Sequence, residues 1–138
     1  MSTNPRYDLS AVLAKLFYGD ESDEKLDQTL DRLVSTNFTQ RINGQVYNRE
    51  AYGPHVREMR QMVTGNGELR VIEEVRQGPA IAGRYIFGFD TAGGRVEFES
   101  HVFAEIDDEE KVVRLVEVAR QISPQDSAEI VTPIQTAG

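Results

Sequence analysis

The chain has 138 residues, 39% hydrophobic and 28% charged, with a net charge of −8 and no cysteine. That length suits one domain, since domains commonly hold about 100 to 150 residues, and such a chain buries enough apolar surface to need no staple. The missing cysteines exclude a disulfide framework, a thiolate nucleophile and Cys-ligated zinc, while the acidic balance argues against nucleic acid or anionic membrane as partner.

Residues Met1 to Leu9 lack the basic-then-apolar layout of a secretory signal, and no apolar run approaches the ~20 residues a membrane span requires. The sequence therefore reads as cytoplasmic. An acidic surface serves solubility first; docking of a basic protein is the functional alternative.

Leu9, Val12, Leu13, Leu16 and Phe17 recur at helical spacing and predict a helix over residues 8 to 18, ended by Gly19. Ser22 then suits an N-cap with Asp23 and Glu24 in the first turn. Leu26, Leu30, Leu33 and Val34 give a second helix its apolar stripe. Phe38 to Ile42 reads as a short strand closed by the turn dipeptide Asn43-Gly44. Asn48 can cap a third helix bearing Tyr52, Val56, Met59 and Val63 on one side. Pro54 lacks a backbone donor, so a kink or a helix start is expected there. Gly65-Asn66-Gly67 ends the helical region.

From Leu69 the apolar period changes from 3.6 to 2. Four strands follow: Leu69 to Arg76, Ile81 to Asp90, Arg95 to Ile106, and Lys111 to Ile122. Helices first and a meander afterwards predict an α+β layered fold, with residues 1–122 as the domain and 123–138 as a C-terminal tail. The tail carries Pro124 and Pro133 and reads as a loose arm, from which Ile130, Val131 and Ile134 could pack back.

Antiparallel pairing assigns side chains to faces, because neighbours across a ladder point the same way. Centring one hairpin on Ala92-Gly93 pairs Phe89 with Val96, Phe87 with Phe98 and Tyr85 with Ser100. Centring the next on Asp108-Glu109 pairs Val102 with Leu115, Ser100 with Glu117 and Phe98 with Ala119. The inner face then carries Tyr85, Phe87, Phe89, Val96, Phe98, Ser100, Val102, Ala104, Val113, Leu115, Glu117 and Ala119. The outer face mixes Arg84, Glu99, His101 and Arg120 with Ile86, Phe103, Val116 and Val118, as a subunit contact often does. A one-residue slip would exchange the two faces.

Leu33 to Gln40 and Val96 to Glu117, including the strand, acidic turn and return of Phe103 to Arg114, resemble the nuclear transport factor 2-like superfamily. The similarity is to its SnoaL-like and ketosteroid-isomerase-like branch, and it spans residues 8 to 122. The resemblance implies a curved mixed or antiparallel sheet closing a cone over an internal pocket. It also implies a homodimer through the convex sheet face and chemistry without a cofactor. Ketosteroid isomerases carry a carboxylate base on the first short strand, where Gln40 stands. Their oxyanion-binding Asp falls on Val102, or on His101 with a one-residue gap. Neither match is an acid, so the steroid-isomerase residues do not carry over. Relatives with a His–Asp pair would need His55 and His101 to converge.

Glu117 is the first candidate for chemistry. A carboxyl on the apolar face is desolvated, which raises its pKa, while hydroxyl hydrogen bonds lower it; such a group can serve as acid or base near neutrality. Tyr85 and Ser100 are its expected partners, Gln40 could orient a ligand oxygen, and Phe87 with Phe98 would line the ligand site. The bland alternative makes Glu117 a structural, hydrogen-bonded residue. Tyr18, Tyr47 and Tyr52 could donate a phenol, although helix tyrosines more often pack their rings. Glu99 could orient His101 as a base, or both could belong to an ionic interface patch. His55 reads as a surface residue, and two separated histidines make no metal site. Two function classes follow: a cofactor-independent lyase, isomerase or cyclase acting on a small hydrophobic metabolite, or a non-catalytic ligand-binding or dimerisation module. Fold alone does not choose between them.

Overall fold

The computed structural model describes residues 7–20 and 22–131. Asp8 caps α1 (Leu9–Tyr18), accepting from the Ala11 amide at 3.2 Å. Leu9, Leu13 and Leu16 share one stripe of α1 and are buried. Ser22 caps α2 (Asp23–Leu33), which turns Leu26 and Leu30 into the core. Val34 does not continue that helix. It opens β1 (Val34–Ile42), buried and paired with Val112, so sheet pairing overrides the helical stripe and the strand begins earlier than its sequence pattern suggests.

Asn43 and Gly44 have φ of 50° and 87°, the two positive values a tight hairpin turn requires. They return the chain through β2 (Gln45–Asn48), a short exposed strand that its few apolar residues do not announce. Asn48 caps α3 (Arg49–Met62), accepting from the Ala51 amide at 2.8 Å. The helix starts at Arg49 and carries Pro54 inside it.

The remaining strands are β3 (Gly67–Gln77), β4 (Ala80–Thr91), β5 (Gly94–Ile106) and β6 (Val112–Ile122). The six-stranded sheet has the order β2-β1-β6-β5-β4-β3. Its neighbours pair antiparallel except β1 and β6, which run parallel, so the sheet is mixed. Helices α1 to α3 cover its inner face, where Phe38, Tyr52, Ile81, Tyr85, Val102 and Leu115 join one core. No helix among the described residues is long and apolar enough to cross a membrane.

The β4–β5 hairpin has the expected register, with Phe89 opposite Val96, Phe87 opposite Phe98 and Tyr85 opposite Ser100. The β5–β6 hairpin does not. Val102 lies opposite Glu117 and Ser100 opposite Ala119, a shift of two residues. Two local insertions cause it. Glu110 adopts φ 61° in a loop closed by Asp107 and Lys111, longer than the expected two-residue turn. Val113 then bulges where the register changes between Glu105 and Ile106. Each insertion alone would swap the faces, and together they restore the parity. Between them Val112, not Val113, is fully buried.

The segment after Ser123, expected as a loose arm, forms α4 (Pro124–Val131). Buried Ser127 hydrogen-bonds to Glu97 and to Arg70, tying α4 to the sheet's outer face. The side chains of Ile130 and Val131, and all of Ile134, lie outside the described residues.

Candidate functional site

A cavity of about 270 Å³ lies between the inner sheet face and helices α1 and α3. Helix α1 contributes Phe17 and Tyr18, and α3 contributes His55, Met59 and Met62. The sheet contributes Ile42, Phe87, Phe89, Phe98, Ser100, Glu117 and Ala119, with Asn43 at the β1 turn. Phe17 meets Phe87 edge-on at 4.9 Å, and Phe89 stacks on Phe98 at 5.9 Å. Among the described residues no Lys or Arg borders this space.

Glu117 is only 3% exposed. The Gln40 amide donates to one carboxylate oxygen at 2.8 Å, and the Ser100 hydroxyl donates to the other at 3.4 Å. Burial raises the Glu117 pKa above the ordinary glutamate value; the bonds from Gln40 and Ser100 act against that rise. Neither partner is a cation, so nothing in this shell fixes the carboxyl as an anion. An amide and a hydroxyl can each donate or accept. Gln40 Oε1 is buried without a partner, and rotation of the amide would offer that oxygen to a protonated Glu117. The shell therefore suits both protonation states, which a proton-transferring group needs.

The position of Glu117 follows from two local devices. Gln40 and Ile42 alternate inward on β1, and Ile42 lies beside Glu117 in the parallel ladder. Just beyond the strand, the Asn43 side chain donates to the Ala119 carbonyl at 3.0 Å and accepts from its amide at 2.9 Å. The Asn43 amide also donates to the Glu117 carbonyl at 3.1 Å. A turn residue thus extends the ladder and pins β6 at the level of the carboxyl.

Two residues stand elsewhere than their sequence positions suggest. Tyr85 is buried, but its hydroxyl turns to Glu74 at 2.7 Å and not to Glu117 or the cavity. Its ring fills the space over Gly83, where a Cβ would come within 2.5 Å of the hydroxyl. His55, expected at the surface, is half-buried. It follows the inward stripe of α3 closely enough to line the cavity, in series with Met59 and Met62 at i+4 and i+7, a spacing visible in the sequence. The imidazole stacks on Tyr47 with ring centroids 4.1 Å apart. Its Nε2 is buried without a hydrogen-bond partner, and burial lowers its pKa against the opposing charge of Glu58. Leaving such a group unpaired costs about 1–3 kcal/mol.

The tyrosines of the helical layer mostly pack. Tyr52 is buried against Phe38 at 4.4 Å, and Tyr18 lines the cavity while its hydroxyl reaches the carbonyls of Glu68 and Gly88. On the outer face Glu99 does not orient His101. It is 5% exposed and bound by Arg84 at 3.5 Å and Arg120 at 3.0 Å, while His101 is exposed opposite Arg84. Val102, not His101, points inward on β5. His55 and His101 therefore do not converge. Among the described residues no cluster of three or more acidic or histidine side chains could hold a metal ion.

Solved structures share the fold. AusH from Aspergillus nidulans superposes with a TM-score of 0.68 at 16% identity, over 87% of each chain. An NTF2-like protein of unknown function from an Exiguobacterium species gives 0.63 at 22% identity, over 80% of this chain and 96% of that one. The chain has the nuclear transport factor 2-like fold. IdmH from Streptomyces antibioticus, described as "a putative polyketide cyclase", shares the nuclear transport factor 2-like fold with a TM-score of 0.59 at 15% identity, over 80% and 90% of the two chains. No protein-family model and no curated protein matches the sequence.

Proposed function

We propose that the protein is an acid–base catalyst of the lyase, isomerase or cyclase type, acting on a small, mainly apolar molecule held in the 270 Å³ cavity. The observation that carries this reading is Glu117: a desolvated carboxyl at the cavity wall whose partners are an amide and a hydroxyl. Such a carboxyl can take a proton from a ligand carbon or oxygen and return it at a second position. Phe87 and Phe98 would exclude water, Ser100 and Gln40 would hold the carboxyl, and no cofactor enters the scheme. The cyclase description of IdmH supports the general kind of reaction. A binding module without turnover is the second reading, favoured by how few polar groups face the cavity.

In this reading two copies pair through the outer sheet face. Phe103 is 41% exposed there and Val118 62%, beside the Arg84–Glu99–Arg120 cluster. The proton-transfer reading is tested in D2O with a panel of small cyclic ketones, following their α-protons by NMR. Wild-type protein should accelerate deuterium incorporation, and Glu117→Gln of unchanged fold should not. Equal incorporation by both proteins would remove Glu117 from the chemistry.

A further inference from the structure

Proton transfer by Glu117 gives His55 no task. Its side chain lines the same cavity as Glu117, and its Nε2 is enclosed with no hydrogen-bond partner. The ring is held in place: it stacks on Tyr47, whose own hydroxyl is anchored on Gln45 at 2.8 Å. An unpaired imidazole nitrogen on a residue that lines a mainly apolar cavity is an unfilled half of a hydrogen bond.

We propose that His55 anchors the single polar group of the ligand, so that the cavity takes an uncharged, one- or two-ring molecule carrying a hydroxyl or carbonyl oxygen. This rests on the reading of the cavity as a ligand site. Four observations support it. The volume lies just below the roughly 300–1,000 Å³ typical of drug-sized ligands, which limits the ligand to a small ring system. Phe17, Phe87, Phe89 and Phe98 supply apolar walls. No Lys or Arg among the bordering residues could neutralise an anionic head, and Glu117 would repel one. Burial also favours the neutral imidazole, which has one donor and one acceptor nitrogen and so matches a neutral oxygen function.

His55 and Glu117 then have separate duties. The imidazole positions the ligand by its oxygen, and the carboxyl handles a proton on the part of the ligand presented to it. No local pattern in the chain announces this pairing, because 62 residues separate the two positions.

The experiment compares 2-naphthol with naphthalene, two fluorescent probes that differ by one hydroxyl. Wild-type protein should bind 2-naphthol about tenfold more tightly, the value of one good buried hydrogen bond. In His55→Phe the preference should vanish while naphthalene affinity stays within about twofold, and His55→Gln should restore part of it. Binding of 2-naphthol should also move the His55 Nε2 resonance in 15N NMR of the wild-type protein, a readout that needs no variant to fold. Equal affinity of the wild type for both probes, a preference surviving in His55→Phe, or an unmoved Nε2 resonance would each overturn the assignment and leave the cavity reading standing. Failure of both probes to bind the wild type would overturn the cavity reading together with this one.

Discussion

Gln40 and Glu117 are 77 residues apart in the chain, yet the Gln40 amide donates to the Glu117 carboxylate at 2.8 Å inside the protein. The contact exists because β1 lies parallel to β6, an arrangement that needs the whole domain to close. It joins a buried acid to a neutral partner that can reverse its role, and this distinguishes Glu117 from Glu99. On the outer face two arginines form ion pairs with Glu99; on the inner face the partners of Glu117 are neutral.

Replacing Glu117 by Gln should stabilise the protein increasingly as pH rises. The native pKa lies above the ordinary value of 4.5, so the unfolded chain loses its proton first. Stability present below that value is lost as pH climbs through the native pKa, and the loss then levels off. Urea midpoints of wild type and Glu117→Gln should be similar near about pH 4 and diverge in favour of the variant by about pH 8. A constant difference across that range would contradict the raised pKa.

Gln40→Leu keeps the volume and removes the donor. It should cost about 1–3 kcal/mol through the unpaired carboxyl and push the Glu117 pKa further up, since the lost bond was lowering it. Denaturant titration measures the first effect. Any pH-dependent ligand binding should shift its midpoint to higher pH in the variant.

Gly67 lies against the Tyr18 ring so closely that a Cβ would overlap it. Gly67→Ala should therefore displace Tyr18, break its hydrogen bonds to the Glu68 and Gly88 carbonyls, and destabilise the fold by about 1–3 kcal/mol. Because Tyr18 is part of the cavity wall, naphthalene affinity should fall as well. Gly44→Ala provides contrast: nothing lies within 4 Å of its Cβ position, so only the cost of its φ of 87° applies.

Val118 is 62% exposed on the outer sheet face. If two copies meet there, Val118→Glu should shift sedimentation from dimer to monomer without lowering the unfolding temperature of the isolated domain. A wild-type protein that sediments as a monomer at high concentration would end the dimer proposal.

The helices and strands were legible wherever one local period dominated. Leu9, Leu13 and Leu16, the Ser22 and Asn48 caps, and the β4–β5 register all follow from patterns within a dozen residues. The inner position of Glu117 was legible too, but only because two errors of one residue cancelled: the Glu110 loop and the Val113 bulge together preserve parity. Between them, Val113 was therefore assigned to the inner face, where Val112 is the buried residue. What could not be read was side-chain direction over long range. Tyr85 neighbours Ser100 across the ladder as expected, yet its long ring carries the hydroxyl to Glu74. His55 lines the cavity in series with Met59 and Met62 on α3, a spacing present in the sequence that the surface reading of His55 passed over. Helix α4 went unforeseen because Pro124 to Val131 is short and weakly patterned; its hold on the sheet comes from Ser127.

Titration of the Glu117 carboxyl carbon by 13C NMR, with and without 2-naphthol, addresses the central claim directly. A desolvated, cation-free acid at a ligand cavity should titrate above 4.5, and its midpoint should move when the probe binds. A carboxyl that titrates at or below that value and ignores the probe would show Glu117 to be a structural residue, and the catalytic reading would fall with it.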